Sequence, residues 1–160
     1  MSREDNLKMM QAAIAYDLDK IKELVHQGVI HCEDDFVFEI SLNHNKPEIT
    51  RYVISLVHGS NIEYYVNNAL VEYAHSGNIS FVKEMIEMGG DIQYNQNEAV
   101  IWACGFGQLE MVKYILSLGV RLDVTDAICK AEQNNHKHVV EYLEYNIKDL
   151  QKNEFITLNL

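Results

Sequence analysis

The sequence predicts an all-α helical-repeat solenoid with short inter-repeat loops. Three observations carry that expectation. The stretch "SGNISFVKEMIEMGG" (76–90) recurs as "FGQLEMVKYILSLGV" (106–120), thirty residues on. Each copy follows a second stretch with apolar residues at helical spacing. Gly or Asn punctuates both stretches at matching positions. A fixed period of about 20 to 50 residues is the signature of stacked repeats, because one short unit cannot bury its apolar face alone.

With "QLEMVKYILSLG" (108–119) as template, four further copies align: "DLDKIKELVHQG" (17–28), "KPEITRYVISLVHG" (46–59, two residues longer), "NISFVKEMIEMG" (78–89) and "HKHVVEYLEYN" (136–146). Anchored on Asp19, Glu48, Ser80, Glu110 and His138, the spacings are 29, 32, 30 and 28. The preceding stretches are "NLKMMQAAIAY" (6–16), "DFVFEISLNHN" (35–45), "NNALVEYAHSG" (67–77), "NEAVIWACGFG" (97–107) and "TDAICKAEQNN" (125–135), the second being the least regular. The chain divides into repeats over about 6–34, 35–64, 65–94, 95–124 and 125–146, with 147–160 as a C-terminal cap or tail of a single domain over 1–160.

Each unit is expected to be helix, tight turn, helix, projecting loop. Val100, Ala103 and Cys104 recur at helical spacing, as do Val112, Ile115 and Leu116. Ala69, Ala74, Ala99, Ala103, Ala127 and Ala131 let two helices approach closely. Gly77, Gly107, Asn45 and Asn135 punctuate the two helices, since Gly and Asn tolerate the left-handed conformation. Gly28, Gly59, Gly89 and Gly119 end the second helices. Asp91, Asn67, Asn97 and Thr125 are turn or N-cap types for the segments between units.

Composition narrows the function classes. Lys plus Arg is 13 against 24 for Asp plus Glu, a net charge of -11 that opposes phosphate backbones and anionic lipid. Neither nucleic acid nor a membrane surface is the expected partner. The odd set Cys32, Cys104 and Cys129 argues against a disulfide framework and for a reduced, intracellular setting. The start "MSREDNLKMM" lacks the basic-then-apolar pattern of a signal peptide, and no window reaches the roughly 18 apolar residues that span a bilayer. The expected location is cytoplasmic.

"NEAVIWACGFGQLEMVKYILSLGVRL" and "NNALVEYAHSGNISFVKEMIEMGGDI" resemble the ankyrin repeat. The resemblance covers roughly nine tenths of the chain. Two departures stand out: the Thr-Pro-Leu-His opening of the first helix is absent, and the period is about 30 rather than 33, which shortens the loops. Repeats of this type, opening "NxAL" or "NxAV", are similar to those in ankyrin proteins of giant, mimivirus-like DNA viruses of amoebae, which would place the protein in a host cytoplasm. The resemblance implies an ankyrin-type α-solenoid that binds other proteins, without catalysis and without a cofactor.

It also implies a concave face built from the loops and the outer sides of the first helices. Those helix positions carry Gln11, Ala15, Ile40, His44, Glu72, Ser76, Trp102, Phe106, Lys130 and Asn134. Trp102 and Phe106 lie four apart on one helical face, opposite Val100, Ala103 and Cys104. Exposed, they would anchor a protein partner, since aromatics dominate interface hot spots. The competing reading has Trp102 covering the neighbouring repeat as packing. Glu72 and His75 sit on the neighbouring first helix, either rimming the same patch or forming a solvated pair. Gln93 and Tyr94, beside Asn95, are candidate contacts at a loop tip.

Other chemistry finds little footing. His136 and His138 are two apart at a helix start and face different ways, and His31 and Cys32 are adjacent and point apart, so no metal site is expected. Cys104 and Cys129 fall in small-residue slots where Cys acts as a small hydrophobe. No nucleophile, base and acid converge, and no glycine-rich phosphate loop occurs. The chain is therefore not expected to be an enzyme.

The tail "NIKDLQKNEFITLNL" (146–160) places Leu150, Phe155, Ile156, Leu158 and Leu160 outside the repeat. It would either cap the fifth unit or dock on another chain, giving a monomer or a homodimer. The expected function is protein–protein recognition through the concave face and loop tips. The alternatives are a substrate adaptor for host ubiquitin machinery and a self-assembling structural repeat protein.

Overall fold

The computed structural model describes residues 3–29, 35–57, 59–122 and 124–146, and among them every regular element is helical. In chain order the helices are α1 (Arg3–Ile14), α2 (Leu18–His26), α3 (Asp35–Asn43), α4 (Pro47–Leu56), α5 (Ile62–His75), α6 (Ile79–Glu87), α7 (Tyr94–Gly105), α8 (Leu109–Ser117), α9 (Val124–Gln133) and α10 (137–146), with a 3-10 turn at Gly59–Asn61. Odd-numbered helices stack on one another in order, and α2, α4, α6 and α8 each pack on the odd-numbered helix before them; Val139 and Leu143 of α10 join the same core. The result is an all-α repeat solenoid. The tail 147–160 and the pair His31 and Cys32 lie outside the described residues.

The turns repeat as the sequence does. Between paired helices, φ is positive at Tyr16, Asn45, Gly77, Gly107 and Asn135, and after the second helices at Gly28, Gly59, Gly89 and Gly119. At Gly77 and Gly107 the left-handed φ strains any side chain, and one placed there would also displace a neighbour. A Cβ would stand 2.5 Å from Gln108 Oε1 or from His136 Nδ1, side chains of the next unit laid across the turn. Side-chain caps sit at the second helices, where Asp17 accepts from the Lys20 amide (2.9 Å) and Asn78 from the Phe81 amide (3.2 Å).

Asn67 corrects one expectation. It is not a cap but lies inside α5, 1% exposed, its Oδ1 accepting from the Asp91 amide at 2.8 Å. The short link after α4 runs through the 3-10 turn straight into α5, so the helix starts before the predicted cap. One unit on, Asn97 Nδ2 donates to the Arg121 carbonyl at 2.8 Å. Both amides staple a first helix to the loop ahead of the next one. Asn95, Gln96 and Asn97 are left-handed (φ 49, 61 and 67), so right-handed helix in α7 begins at Glu98. Each such non-glycine residue costs roughly 1–2 kcal/mol, offset by Asn97 on Arg121 and by Asn95 Nδ2 on Glu98 Oε2 at 2.7 Å. Thr125 likewise falls within α9. Asp91 is a turn residue as expected, accepting from the Gln93 amide at 2.8 Å.

The irregular second unit stacks in line, with α3 against both α1 and α5. Pro47 occupies the first turn of α4, where its missing N–H costs nothing. Val57 then leaves the helix in extended conformation and is buried.

Two features tie the units together. Inside, Ser41, Thr50 and Tyr73 form a buried hydroxyl chain: Ser41 Oγ to Thr50 Oγ1 and Thr50 Oγ1 to Tyr73 Oη, both 2.8 Å. Outside, a cation of one second helix reaches the next. Lys22 lies over the Tyr52 ring (5.7 Å), Lys83 over Tyr114 (5.1 Å) and Lys113 over Tyr142 (5.7 Å). At the remaining rung Glu84 stands in the ring's repeat position, and Arg51 grips it with two bonds of 2.6 and 2.8 Å while lying 5.3 Å from the Phe81 ring centroid.

Candidate partner-binding face

Trp102 and Phe106 arise from α7 because residues four apart share a helix face. The opposite face is committed to the core through Val100, Ala103 and Cys104, all 0% exposed. Trp102 is half-buried, and Phe106, at the C-cap of the helix, is 45% exposed. Their ring centroids are 5.9 Å apart. His75, at the end of α5, brings its ring to 3.6 Å from Phe106 and 6.5 Å from Trp102. Glu72 Oε2 is 3.4 Å from His75 Nδ1 and makes an ion pair when the ring is protonated. All four predicted residues Glu72, His75, Trp102 and Phe106 thus form one cluster.

Two further residues complete it. Lys130 of α9 holds its Nζ 4.3 Å from the Trp102 ring centroid. Its stem crosses Gly105, where a Cβ would stand 2.9 Å from Lys130 Cγ. Glu98 Oε1 accepts from Trp102 Nε1 at 3.0 Å. Glu98 was legible as one helical turn before Trp102, and Lys130 as its counterpart in the next unit, 28 residues on. The Trp102 ring is therefore fixed at its edge by Glu98, on a face by Lys130 and along α7 by Phe106. Aromatic pairs and cation–π contacts each contribute about 0.5–1.5 kcal/mol. Trp102 is both packing across units and part of the exposed cluster.

Gln93 and Tyr94 belong to a different place. Gln93 Oε1 accepts from the Arg121 amide at 3.0 Å, tying two successive loops together. Tyr94 starts α7 and is half-buried against the core. Among the described residues no ring contact joins Tyr94 to the Trp102 cluster.

His136 and His138 stand 6.0 Å apart, with His138 Nε2 3.0 Å from the Gly107 carbonyl oxygen. No group of three or more His, Cys, Asp or Glu among the described residues could hold a metal ion. Burial pushes the Cys104 thiol up to about 12, away from the thiolate a nucleophile needs. An open hollow of about 320 Å³ on the last unit is lined by Glu132, Asn135, Lys137, Val140 and Glu141. No helix among the described residues is long and apolar enough to cross a membrane.

The profile described as ankyrin repeats (3 copies) matches residues 9–126 and, overlapping, 74–154. Comparison with curated proteins finds no significant match. Ankyrin repeats are generally non-catalytic modules of protein–protein interaction. The helical repeat and the profile match over most of its length make this chain a member of the ankyrin-repeat family.

Proposed function

We propose that this protein, acting as a single ankyrin domain over 1–160, is a non-catalytic recognition module whose partner docks on the Trp102–Phe106–His75 cluster. The observation that carries the reading is Phe106, left 45% exposed within a cluster built from three successive first helices. A rigid aromatic anchor loses little entropy on binding, and such anchors carry most interface energy. Glu72 rims the cluster, and Gln93 and Tyr94 lie at the loop edge where a larger partner would extend. A substrate-adaptor role in ubiquitin transfer is a more specific form of the same reading, and a viral source would put the protein in a host cytoplasm.

The test is affinity capture from cell lysate with wild type and a Trp102→Ala, Phe106→Ala double variant of equal helicity. Loss of one defined protein with the variant is the expected result. Identical captured sets would move recognition off this face. Self-association is favoured by one separate observation: Leu7, Met10 and Ile14 on α1 are 54, 43 and 58% exposed. Light scattering during size exclusion distinguishes a monomer from a dimer.

A further inference from the structure

Resting on that docking reading, we propose that the docked segment of the partner is basic, with an arginine or lysine lying over the Phe106 ring and pairing with Glu72.

The cluster holds two rings, each bordered by an acid, and the chain itself supplies a cation to one of them. Glu98 Oε1 accepts from Trp102 Nε1 at 3.0 Å, and Lys130 Nζ lies 4.3 Å from the centroid of that same ring. Phe106 is bordered by Glu72 through His75: the His75 ring is 3.6 Å from Phe106, and Glu72 Oε2 is 3.4 Å from His75 Nδ1. Phe106 is 45% exposed, and among the described residues no lysine or arginine lies over it. The second ring and acid thus repeat the arrangement of the first, but their outer side faces solvent.

The charge of the whole face has the same sign. In the repeat register the outer positions of α3, α5, α7 and α9 carry Glu39, Glu72, Glu98 and Asp126 against Lys130 alone. Glu98 is bonded by neutral donors, Trp102 Nε1 and Asn95 Nδ2, so its charge stays uncompensated. Glu72 has an ionic partner only when His75 is protonated. Glu39 and Asp126 are exposed and make no ion pair among the described residues. Lys46, at the turn after α3, already lies over the Tyr16 ring at 4.3 Å. An arriving cation therefore meets unanswered carboxylates, and an arriving anion meets repulsion.

Two attractions act together at Phe106. A guanidinium or ammonium is drawn to the negative face of an aromatic ring. A carboxylate at the ring's edge then pairs with it more strongly once docking excludes water. Arginine suits the place best, because its planar head both stacks on rings and fits a carboxylate. At longer range the net charge of -11 steers a basic segment inward and speeds encounter.

The test uses a random, tryptophan-free dodecapeptide library displayed on phage, panned on the full chain and counter-screened on the Trp102→Ala, Phe106→Ala variant. Enriched peptides are synthesised and titrated by the emission of Trp102, the single tryptophan of the chain. The expected peptides share an arginine or lysine. Glu72→Gln, of the same size and unchanged far-UV spectrum, weakens them about tenfold. Replacing the peptide's arginine by citrulline, or its lysine by acetyl-lysine, weakens binding equally on wild type and not at all on Glu72→Gln, the signature of a direct pair in a double-mutant cycle. Peptides that need Trp102 and Phe106 but share no basic residue, or whose basic residue is indifferent to Glu72, overturn this proposal and leave the docking face standing. Peptides that ignore Trp102 and Phe106, or no enrichment at all, sink both.

Discussion

The seam between the second and third units and the seam between the third and fourth use the same repeat positions in opposite ways. Seven residues before each anchor the chain reads Ala12, Ser41, Tyr73, Ala103, Ala131; two residues after it reads Ile21, Thr50, Val82, Val112, Val140. At the later seam these positions are small or apolar, and α5 meets α7 closely through Ala69, Ala99 and Ala103. At the earlier seam α3 meets α5 over less surface, and the space holds Tyr73 with a hydroxyl chain back to Thr50 and Ser41. A tyrosine in an alanine position is tolerated because its partner positions supply hydroxyls. The comparison teaches that one stacking register accepts two chemistries, provided the hydroxyls brought into the seam answer one another. A polar seam also specifies its neighbour, since an apolar unit in that place would strand the hydroxyls.

The largest effect should come from breaking the apolar side. Ile115, 0% exposed in α8, lies where the fourth unit closes on its core. Ile115→Ala removes buried methylenes and leaves a cavity, so urea denaturation should show a loss of about 2–5 kcal/mol. A loss below about 1 kcal/mol would mean that this core collapses around the gap.

Next is the hydroxyl chain. Thr50→Val leaves the Tyr73 hydroxyl buried without its partner and should cost about 1–3 kcal/mol. The triple variant Ser41→Ala, Thr50→Val, Tyr73→Phe removes all the polar groups together and should recover most of that loss, making the earlier seam resemble the later one. No recovery would show that the seam depends on the hydroxyls themselves. Burial also pushes the Tyr73 phenol up to about 12 from its ordinary 10. The folded state therefore keeps a proton that the unfolded state gives up above pH 10. The stability present below pH 10 drains away as pH climbs towards 12. Tyr73→Phe should flatten that part of the alkaline stability curve, leaving the share due to Cys104, whose thiol is raised in the same way.

The smallest effect belongs to the outer ladder. Lys83→Met removes a cation 5.1 Å from the Tyr114 ring and should cost about 0.5–1 kcal/mol, with little salt dependence. Arg51→Met breaks the bidentate pair with Glu84 across the earlier seam and should cost under about 1 kcal/mol. That cost should shrink further in high salt, because solvent reaches both groups, Arg51 at 49% and Glu84 at 32% side-chain exposure. Equal salt responses would erase the distinction between the two kinds of rung.

Much of this was legible in the residues. The Gly and Asn residues assigned between and after the paired helices have the left-handed φ that their residue type suggested, and the Trp102, Phe106, Glu72 and His75 cluster follows from spacing and repeat alignment. Tyr16 was not legible as a turn residue. It holds φ 55 with its ring against His44 and under Lys46, support that residue preference does not encode. Asn67 misled because a helix-start residue and an intrahelical staple look alike until the loop 24 residues on is placed. The alternation of cation and ring between second helices is present in the sequence as Lys22, Arg51, Lys83, Lys113 and Tyr52, Glu84, Tyr114, Tyr142. Only the offset between stacked units shows that each cation meets the next unit's ring.

The sequence by itself determined the class of fold and its register, because helical periodicity and turn conformation are local properties of a few neighbouring residues. Tertiary structure decided how the seams are filled, which way Lys130 lies and whether Trp102 is packing or surface, because those depend on distances between residues about thirty apart. Such distances are set by how closely one helix pair stacks on the next. No single unit contains that information.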